Sequence, residues 1–482
     1  MADQKPSITT RATGPGFISK MIVISNTDKS EFDVLSLGVP IQFKYYESLL
    51  QDVIYASVTY VDAGNGVVKD GKNLTAVTGL PITGSETVEI SFRDVNEEII
   101  EVTLLINKVT EVFEDSGKTM VTLDMNSKEL FDNDKVRLNT RLDGKISDHI
   151  ETILTDPEYL ETEKELHIEQ TENNYNKIMN NKKPFYMMNY FSTLAIPSSG
   201  NPDAPKNSAG YLLWETSKGF HFRSVDWLLN KDTNPKKKSI IYNETPDAGG
   251  IDIPEGYDMK ALAFEKDNRN DIKSKLDQGA YSNRLITFNP FNCFYEVTYP
   301  NADNTGPSGG GFGAPGSQKK TVHSGKELPV LNPKIKSAKG GKNDFSRTTF
   351  KLLDVGTLPA GTGGERESDP KEQEQLKKSE EENANPAKTL NQAIMRLNQL
   401  NTSKISITIP GDFSLHAGDT VFVDSPKLDS TKTGSKNQDS LDDQSGGLYI
   451  IRDLCHYMTS QETYTQINVV RDSIGKKGKP HA

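Results

Sequence analysis

The segment from Lys404 to Asp472 constrains the fold more than any other part of the sequence. Ile405, Ile407 and Ile409 alternate with short polar residues, and this period of two predicts a strand with one buried face and one wet face. The turn-forming residues 410–412 end that strand. Further strands are predicted at 413–416, 420–424, 448–458 and 464–470. Four or five short strands with tight turns in about 70 residues predict a small antiparallel barrel or sandwich.

A second β-rich stretch runs from Phe17 to Leu123, after a polar first segment without periodicity. Its predicted strands are 21–25, 53–62, 88–92, 99–109 and 120–124. Glycine-containing turns separate them, so this stretch also predicts a small barrel or sandwich. The side chains of the two stretches do not align, and the sequence alone therefore does not establish that one repeats the other.

The region between the two β-rich stretches mixes helices and strands. Residues 128–142 are predicted to form a polar bridge. An amphipathic helix is predicted at 145–154, where Ile146 and Ile150 share a face. The aromatic and methionine-rich run 185–191 is typical of a buried core. Later strands are predicted at 240–242, 284–288 and 293–299, and helices near 272–278 and at 389–400.

Residues 211–229 predict a β-hairpin whose second arm leads into a short helix. The turn lies at Lys218 and Gly219, between two runs rich in apolar residues. The Ser224 hydroxyl is placed to cap the helix that starts at Val225, because it can accept a hydrogen bond from an unpaired helix amide.

Charge and composition exclude several classes of function. The chain has 482 residues and a formal net charge of −11, which disfavours DNA binding, since phosphate binding depends on clustered Lys and Arg. The short run Lys236–Lys238 is more typical of a solvated loop. Only 34% of residues are apolar, and no run approaches the ~20 apolar residues of a membrane span. With no visible secretory signal, we expect a chain of two to four domains that folds in a cytoplasm and does not insert into a membrane.

No residue pattern predicts catalysis or a cofactor. Residues 311–316 satisfy G-x-G-x-x-G by letter, but the residues on either side do not form the strand and helix that a dinucleotide site needs. Ser224 and His221 lack the sharp elbow of a catalytic nucleophile, so a structural histidine is expected. A carboxylate pair for glycoside cleavage is assembled in space rather than in sequence, and nothing in this sequence points to one.

No metal site is predicted either. His416 and His456 have no carboxylate or thiol at ligand spacing. The acidic loop 439–443 lacks the glycine and the final glutamate of a calcium loop. Cys293 and Cys455 are far apart and predict two free thiols.

Three strings in the sequence resemble one known family. The segments 409–426 (IPGDFSLHAGDTVFVDSP) and 447–473 (GLYIIRDLCHYMTSQETYTQINVVRDS) are similar to the last tube-domain barrel of myophage baseplate hub proteins. The segment 212–229 (LLWETSKGFHFRSVDWLL) is similar to a hairpin in the α/β domain between the barrels of that family. The matches occur in the expected order. The chain therefore resembles the central baseplate hub protein of contractile-tailed phages.

The residues and the resemblance together predict a mainly β fold with α+β elements. It has two small antiparallel β-barrel tube domains, an α/β domain between them, and disordered insertions rich in Gly, Ser and Pro. The predicted division is a flexible N-terminal arm (1–16), a first tube-like β-barrel (17–126), an α/β middle domain (127–300), a mobile Gly/Pro-rich insertion (301–345), a linker with helices (346–401), a second tube-like β-barrel (402–475) and a flexible C-terminal tail (476–482).

The resemblance implies a structural virion protein that is not an enzyme. Such a hub is a homotrimer and a symmetry adaptor, which joins the hexameric tail tube to the trimeric central spike and lines the DNA channel. The implied partners are the tail tube protein, the central spike protein, baseplate wedge or other baseplate proteins and the tape measure protein, with phage DNA passing non-specifically. The implied place is the tail baseplate of the virion, assembled in the host cytoplasm. Alternative functions are the hub of a bacterial contractile injection system and a glycan-binding or hydrolytic tail component.

Overall fold

The computed structural model describes most of the chain, and every structural statement below concerns the residues it describes. These are 16–27, 29–37, 40–64, 67–69, 71–113, 118–198, 209–242, 253, 256–269, 271–279, 283–289, 293–298, 345–352, 383–384, 386–425, 441–442, 445–472 and 478–480. Nearly all of the Gly/Pro-rich insertion and most of both terminal segments lie outside them.

The N-terminal lobe is a curved antiparallel sheet around one apolar core. Its strands are β1 (Phe17–Ile24), β2 (Glu31–Asp33), β3 (Gln42–Ser48), β4 (Tyr55–Asp62), β5 (Val67–Lys69), β6 (Lys72–Leu74), β7 (Thr87–Arg93), β8 (Ile99–Phe113) and β9 (Thr119–Asn126), with a 3-10 helix at Val34–Leu37 and helix α1 at Ala76–Gly79. The ladder order is β2-β1-β7-β8-β9-β4-β3, and the inward side chains Met21, Phe43 and Phe92 are fully buried. Among the described residues no ladder joins β2 to β3.

The middle domain, residues 127–235, packs helices against two small sheets. Its elements are α2 (Lys128–Lys135), β10 (Arg141–Leu142), α3 (Ile146–Thr155), β11 (Leu166–Ile168), β12 (Lys177–Ile178), α4 (Pro184–Ser192), β13 (Tyr211–Thr216), β14 (Gly219–Ser224) and α5 (Val225–Leu229). The predicted helix at 145–154 and the predicted hairpin are both present. Ile146 and Ile150 of the helix and Phe191 of the aromatic run are fully buried, as predicted. The Ser224 hydroxyl accepts a hydrogen bond from Trp227 N at 3.0 Å, as a helix cap.

The predicted polar bridge at 128–142 is wrong in one respect, because it contains helix α2. The polar residues of this helix are not all in water. Glu129 is buried and accepts a hydrogen bond from Thr162 Oγ1 at 2.6 Å, and buried Asn133 accepts one from Phe185 N at 2.9 Å. A low apolar content therefore hid a helix whose buried face is held by hydrogen bonds.

The C-terminal lobe draws on two separate parts of the chain. Its strands are β15 (Lys236–Ile241), β16 (Met259–Lys260), β17 (Ala263–Arg269), β21 (Ser403–Pro410), β22 (Thr420–Asp424), β23 (Gly447–Thr459) and β24 (Thr463–Arg471). The order is β17-β21-β24-β23-β22-β15-β16. Between β16 and β17, Ala261 N donates to Ile241 O at 2.8 Å and Leu262 N donates to Thr408 O at 2.7 Å. The two ends of the series meet there, so the strands form a ring at that end of the lobe.

Two expectations for this lobe need correction. The prediction was purely antiparallel, but β15 pairs in parallel with both β22 and β16. Residues 413–416, predicted as a return strand, form a turn instead. Strand pairing also joins β15, β16 and β17 to this lobe, whereas the predicted middle domain extends to residue 300. Pairing between strands that are far apart in the sequence leaves no pattern among neighbouring residues, so the sequence did not predict these parallel pairs.

A third, smaller sheet completes the described structure. Its strands are β18 (Asn283–Asn289), β19 (Phe294–Thr298) and β20 (Arg347–Leu352), and the neighbouring helices are α6 (Ile272–Asp277) and α7 (Pro386–Leu400). Leu285 of β18 packs with Leu390 and Ile394 of α7. Both helices were predicted. The predicted linker at 346–401 contains a strand as well as a helix, because residues 347–352 of β20 pair in parallel with residues 283–288 of β18.

Candidate functional surface: a sheet shared by both lobes

One continuous sheet crosses from the C-terminal lobe into the N-terminal lobe. The junction is an antiparallel ladder between Asp453–Thr459 of β23 and Gln42–Ser48 of β3. Eight strands therefore follow one another in the order β17-β21-β24-β23-β3-β4-β9-β8, and we call them the shared sheet. Each lobe contributes four neighbouring strands to it.

The alternation of residue types gives the shared sheet an apolar inner face. Ile405, Ile407 and Ile409 are buried with at most 2% of their surface exposed. The residues between them, Ser406 and Thr408, point to the other side and are half-buried. This is the facing that a period of two predicts.

The other face of the shared sheet is polar across both lobes. One row of consecutive cross-strand partners is Thr408, Gln466, Cys455, Tyr46 and Tyr55. A second row is Pro410, Tyr464, Tyr457, Lys44, Ser57, Asp124 and Lys108, and a third is Ser406, Asn468, Asp453 and Ser48. Hydroxyl and amide groups dominate, and the few charges carry both signs. Such a face presents no cluster of cations to a phosphate backbone.

A buried carboxylate, Glu47, fixes the junction between the lobes. It accepts hydrogen bonds from Ser217 N and Ala417 N, each at 3.0 Å, and from Tyr45 Oη at 2.8 Å. His416 Nδ1 lies 3.2 Å from its Oε1. Burial alone raises the pKa of Glu47, but His416 and the two amides outweigh burial and lower it to about 2. Glu47 is thus ionised, and it binds Ser217 of the middle domain as well as His416 and Ala417 of the C-terminal lobe.

A second buried carboxylate, Glu215, ties the middle domain to the N-terminal lobe. Its oxygens accept hydrogen bonds from Ile54 N at 3.0 Å, Ser127 Oγ at 2.7 Å and Lys164 Nζ at 2.6 Å. Its side chain is fully buried. Because a buried charge is tolerated only when it is paired and hydrogen-bonded, this geometry holds the hairpin β13–β14 rigidly on the lobe.

The turn after β21 is inserted into the opposite lobe. Phe413 belongs to the core of the N-terminal lobe and packs edge-on against Phe92, with ring centroids 5.1 Å apart. Its amide donates to Asp94 Oδ2 at 2.9 Å. Fully buried His456 lies against Phe413 and Tyr45, and its Nδ1 is 2.9 Å from Thr465 Oγ1. The two lobes therefore share core residues and behave as one body.

Trp214 connects the middle domain to the same turn. Its Nε1 donates to Ala417 O at 3.1 Å, and its ring stacks on His221 with centroids 5.0 Å apart. Asn234 Nδ2 donates to Gly418 O at 2.8 Å. Residues 413–416, which were predicted as a strand, and the turn at 417–418 are instead the contact point of all three units.

The residues weighed for catalysis do not form a catalytic arrangement. His221 Nε2 is 2.9 Å from Thr216 Oγ1, whereas the Ser224 hydroxyl contacts Trp227 N and Glu169. Burial lowers the pKa of His221 to about 3, with a smaller contribution from His167. His221 is therefore a neutral, packed side chain.

The residues weighed for metal binding are also separate from one another. His416 contacts Glu47, and His456 contacts Thr465. In the part of the chain that the structure describes, no three His, Cys, Asp or Glu side chains are grouped so as to hold a metal ion. Of the acidic loop, only Asp442 is described among its aspartates, and it accepts from Ser445 Oγ at 2.6 Å. The Gly-rich run 311–316 lies outside the described residues.

Sequence reasoning missed Glu47 and Glu215. Glu47 follows Phe43 and Tyr45 at inward positions of β3, so the signal was a carboxylate in an apolar alternation. Glu215 lies in a strand whose residues are all buried. A charge in such a position indicates a distant partner, but it does not identify the partner.

The chain is a mainly β protein whose two lobes are joined by the shared sheet. No family model and no curated protein matches its sequence. Among solved structures it is similar to a tail protein from Neisseria meningitidis, at a TM-score of 0.49 and 10% identity, over 96% of this chain and 98% of that one. It is also similar to the 43 kDa tail protein of prophage MuSo2 from Shewanella oneidensis, at a TM-score of 0.46 and 9% identity, over 94% and 98%.

A third similar structure is an Escherichia coli component of the type VI secretion system, at a TM-score of 0.40 and 4% identity, over 97% of this chain and 80% of that one. All three TM-scores are below 0.5. None of the helices that the structure describes combines the length and the apolar character needed to span a bilayer.

Proposed function

We propose that this chain is the central hub of a contractile-tail baseplate, a structural protein that makes and breaks no bond. The observation that carries the proposal is the composition of the shared sheet, with four neighbouring strands from each lobe. Two four-stranded units per chain give six in a homotrimer. A threefold assembly then offers six similar β-units to a sixfold tube, which is how such a hub adapts a hexameric tail tube to a trimeric spike.

The polar face of the shared sheet is the part of the chain that lines the channel in this proposal. It carries hydroxyl and amide side chains in rows across both lobes, with few charges of either sign. DNA passing such a wall meets no array of cations that would release its counterions and hold it. The formal net charge of −11 supports the same conclusion.

The rigid junction supports the load-transmitting role of a hub. Glu47 joins all three units through buried contacts, and Glu215 and Phe413 each join two of them. A hub must keep both lobes in a fixed relation so that the tube, the spike and the baseplate wedges meet it at defined positions. The proposed partners are those proteins, together with the tape measure protein within the tail of the virion.

The test of the proposed function is mass and symmetry in solution. Sedimentation velocity and light scattering at micromolar concentration are expected to give three times the chain mass, with the tail tube and spike proteins added where assembly needs them. Electron microscopy of that assembly is expected to show a threefold ring with a central channel faced by the shared sheet. A particle that stays monomeric with both partners present overturns the proposal.

A further inference from the structure

The third sheet, formed by β18, β19 and β20, buries one of its faces and exposes the other. On the inner face, Leu285 is buried against helix α7. The outer face carries six apolar side chains, and we call it the third-sheet face. They lie in two rows of cross-strand partners, which are Phe350–Ile286–Val297 and Leu352–Phe288–Tyr295.

The exposure of this face is not typical of a chain that functions alone. Phe350, Leu352 and Tyr295 are 58%, 60% and 64% exposed. The rings of Phe288 and Phe350 are stacked with centroids 6.5 Å apart, so the side chains form one surface. Single exposed apolar residues are normal in soluble proteins. A contiguous apolar group such as this one marks an interaction site.

One cation borders the third-sheet face. Arg284 lies two residues before Ile286 on β18, so it points to the same side of the sheet. Its guanidinium stacks on Phe345 at 4.2 Å, and its Nε donates to Thr348 Oγ1 at 3.1 Å. Neither of these described contacts is a carboxylate. A complementary partner therefore presents apolar side chains together with a carboxylate.

The hairpin turn between β7 and β8 has that chemistry. Val95 and Ile99 are 40% and 59% exposed. Glu97 and Glu98 lie between them and are exposed too. We call residues 95–99 the hairpin tip. It combines two apolar side chains with two carboxylates, which is what the third-sheet face and its arginine require.

Buried Asp94 fixes the conformation of the hairpin tip. Its Oδ1 accepts hydrogen bonds from Asn96 N at 2.8 Å and Glu98 N at 3.0 Å. Its Oδ2 accepts one from Phe413 N at 2.9 Å, which anchors the turn to the junction between the lobes. Little conformational freedom is then lost when the tip binds, and this preorganisation favours its use as a docking element.

We infer that the hairpin tip of one copy docks on the third-sheet face of the next copy. The inference rests on the proposed trimer and names one contact between its subunits, outside the ladders that make up the shared sheet. Val95 and Ile99 cover the apolar rows, and the glutamates meet Arg284. The two surfaces are different, so the contact is head-to-tail, and a head-to-tail contact closes into a ring when the rotation allows it.

Reversal of charge on each surface tests this contact in the full chain. The readout is subunit exchange between tagged and untagged trimers, with tail tube and spike proteins added where assembly needs them. Arg284→Glu alone, and Glu97→Lys with Glu98→Lys, are each expected to speed exchange about tenfold, because like charges then face each other. The chain that combines all three changes restores opposite charges and is expected to exchange within about threefold of the wild-type rate.

A second variant and two matched controls separate the contact from general damage. Phe350→Ser removes an exposed ring from the third-sheet face and is also expected to speed exchange. Lys273→Glu, at a side chain 89% exposed on α6, matches the charge change of Arg284→Glu. Val68→Ser, at a site 70% exposed on β5, matches Phe350→Ser. Both controls are expected to exchange at the wild-type rate, and circular dichroism checks the fold of every variant.

The outcomes distinguish this inference from the proposed function. A trimer whose exchange is unaffected by Arg284→Glu and Phe350→Ser overturns the contact and leaves the hub intact. If those variants lose binding to the added tube or spike protein instead, that protein covers the third-sheet face, and the contact is overturned as well. Faster exchange in the separate variants without recovery in the combined chain overturns the pairing of the two surfaces. A wild type that stays monomeric with both partners present overturns both proposals.

Discussion

Glu47 and His416 form a buried ion pair between residues 369 positions apart, with Nδ1 of the histidine 3.2 Å from Oε1 of the carboxylate. Glu47 lies on the strand that joins the lobes, and His416 lies in the turn that carries Phe413 into the N-terminal core. The pair therefore links the junction between the lobes to the conformation of that turn.

Replacing Glu47 with Gln is expected to lower the free energy of unfolding by about 3–5 kcal/mol, because one partner of a buried charge pair is then left uncompensated. Urea unfolding of the full chain measures it. The matched control is Glu89→Gln, which breaks the surface pair with Lys20, whose side chains are 46% and 38% exposed. The control is expected to cost about 0–1 kcal/mol. Equal effects in both variants contradict the role of Glu47.

The same pair predicts a loss of stability as the pH rises above the ordinary histidine pKa of about 6.5. Burial opposes protonation of His416, but the charge of Glu47 and its hydrogen bond together outweigh burial and raise the pKa of His416. A raised histidine pKa contributes stability that is fully present below the unfolded pKa of about 6.5 and is lost as pH rises through the folded pKa. The unfolding free energy of the wild type is expected to fall over that range, and His416→Gln is expected to remove this fall. A variant with the wild-type slope there refutes the assignment.

How far the sequence predicts this structure depends on how local each signal is. Ile407 was placed in the core by its alternation with polar neighbours, and the Ser224 cap was placed by its position before a short helix. Both need only neighbouring residues. The Glu47–His416 pair and the β23–β3 ladder join the two ends of the chain, and residues 236–241 enter the last lobe through parallel pairing. Partners so far apart leave no periodicity, so the sequence predicted two lobes but not how they are joined.

Fully buried His456 predicts that the folded chain loses stability in acid. Burial lowers its pKa to about 3, so the folded chain keeps it neutral while the unfolded chain takes up a proton below about pH 6.5. Stability is then lost as pH falls from about 6.5 toward 3, with a slope of about 1.4 kcal/mol per pH unit for one such proton. His456→Gln is expected to reduce the slope between pH 6 and 4 by about that amount, measured by urea unfolding at each pH. Burial also lowers the pKa of His221, and this residue is unchanged in the variant. The acid sensitivity that His221 contributes therefore remains as an internal reference. An unchanged slope shows that His456 does not cause the loss of stability in acid.

Phe413→Ala is expected to separate the cores that the two lobes share. The side chain is 2% exposed and packs against Phe92 in the N-terminal lobe. Deleting a buried phenylalanine costs about 3–5 kcal/mol through lost burial and the cavity that remains. Thermal unfolding by circular dichroism measures the loss, and protease digestion reports whether the lobes come apart. Phe17→Ala, at a site that is 55% exposed, is the control and is expected to change little. A small effect at Phe413 contradicts the insertion of this turn into the N-terminal core.

The facing of the shared sheet is tested by two neighbouring substitutions on one strand. Ile407 is fully buried, whereas Ser406 points to the polar face. Ile407→Asp places an unpaired carboxylate in the core and is expected to unfold the C-terminal lobe, because a buried charge without a partner costs several kcal/mol. Ser406→Asp, one residue away, is expected to lower the melting temperature much less than Ile407→Asp does, because the half-buried Ser406 lies on the polar face, where water still reaches a carboxylate. If Ser406→Asp destabilises the chain more than Ile407→Asp does, the face that carries Ser406 is the buried one. The channel wall proposed for the hub is then wrong.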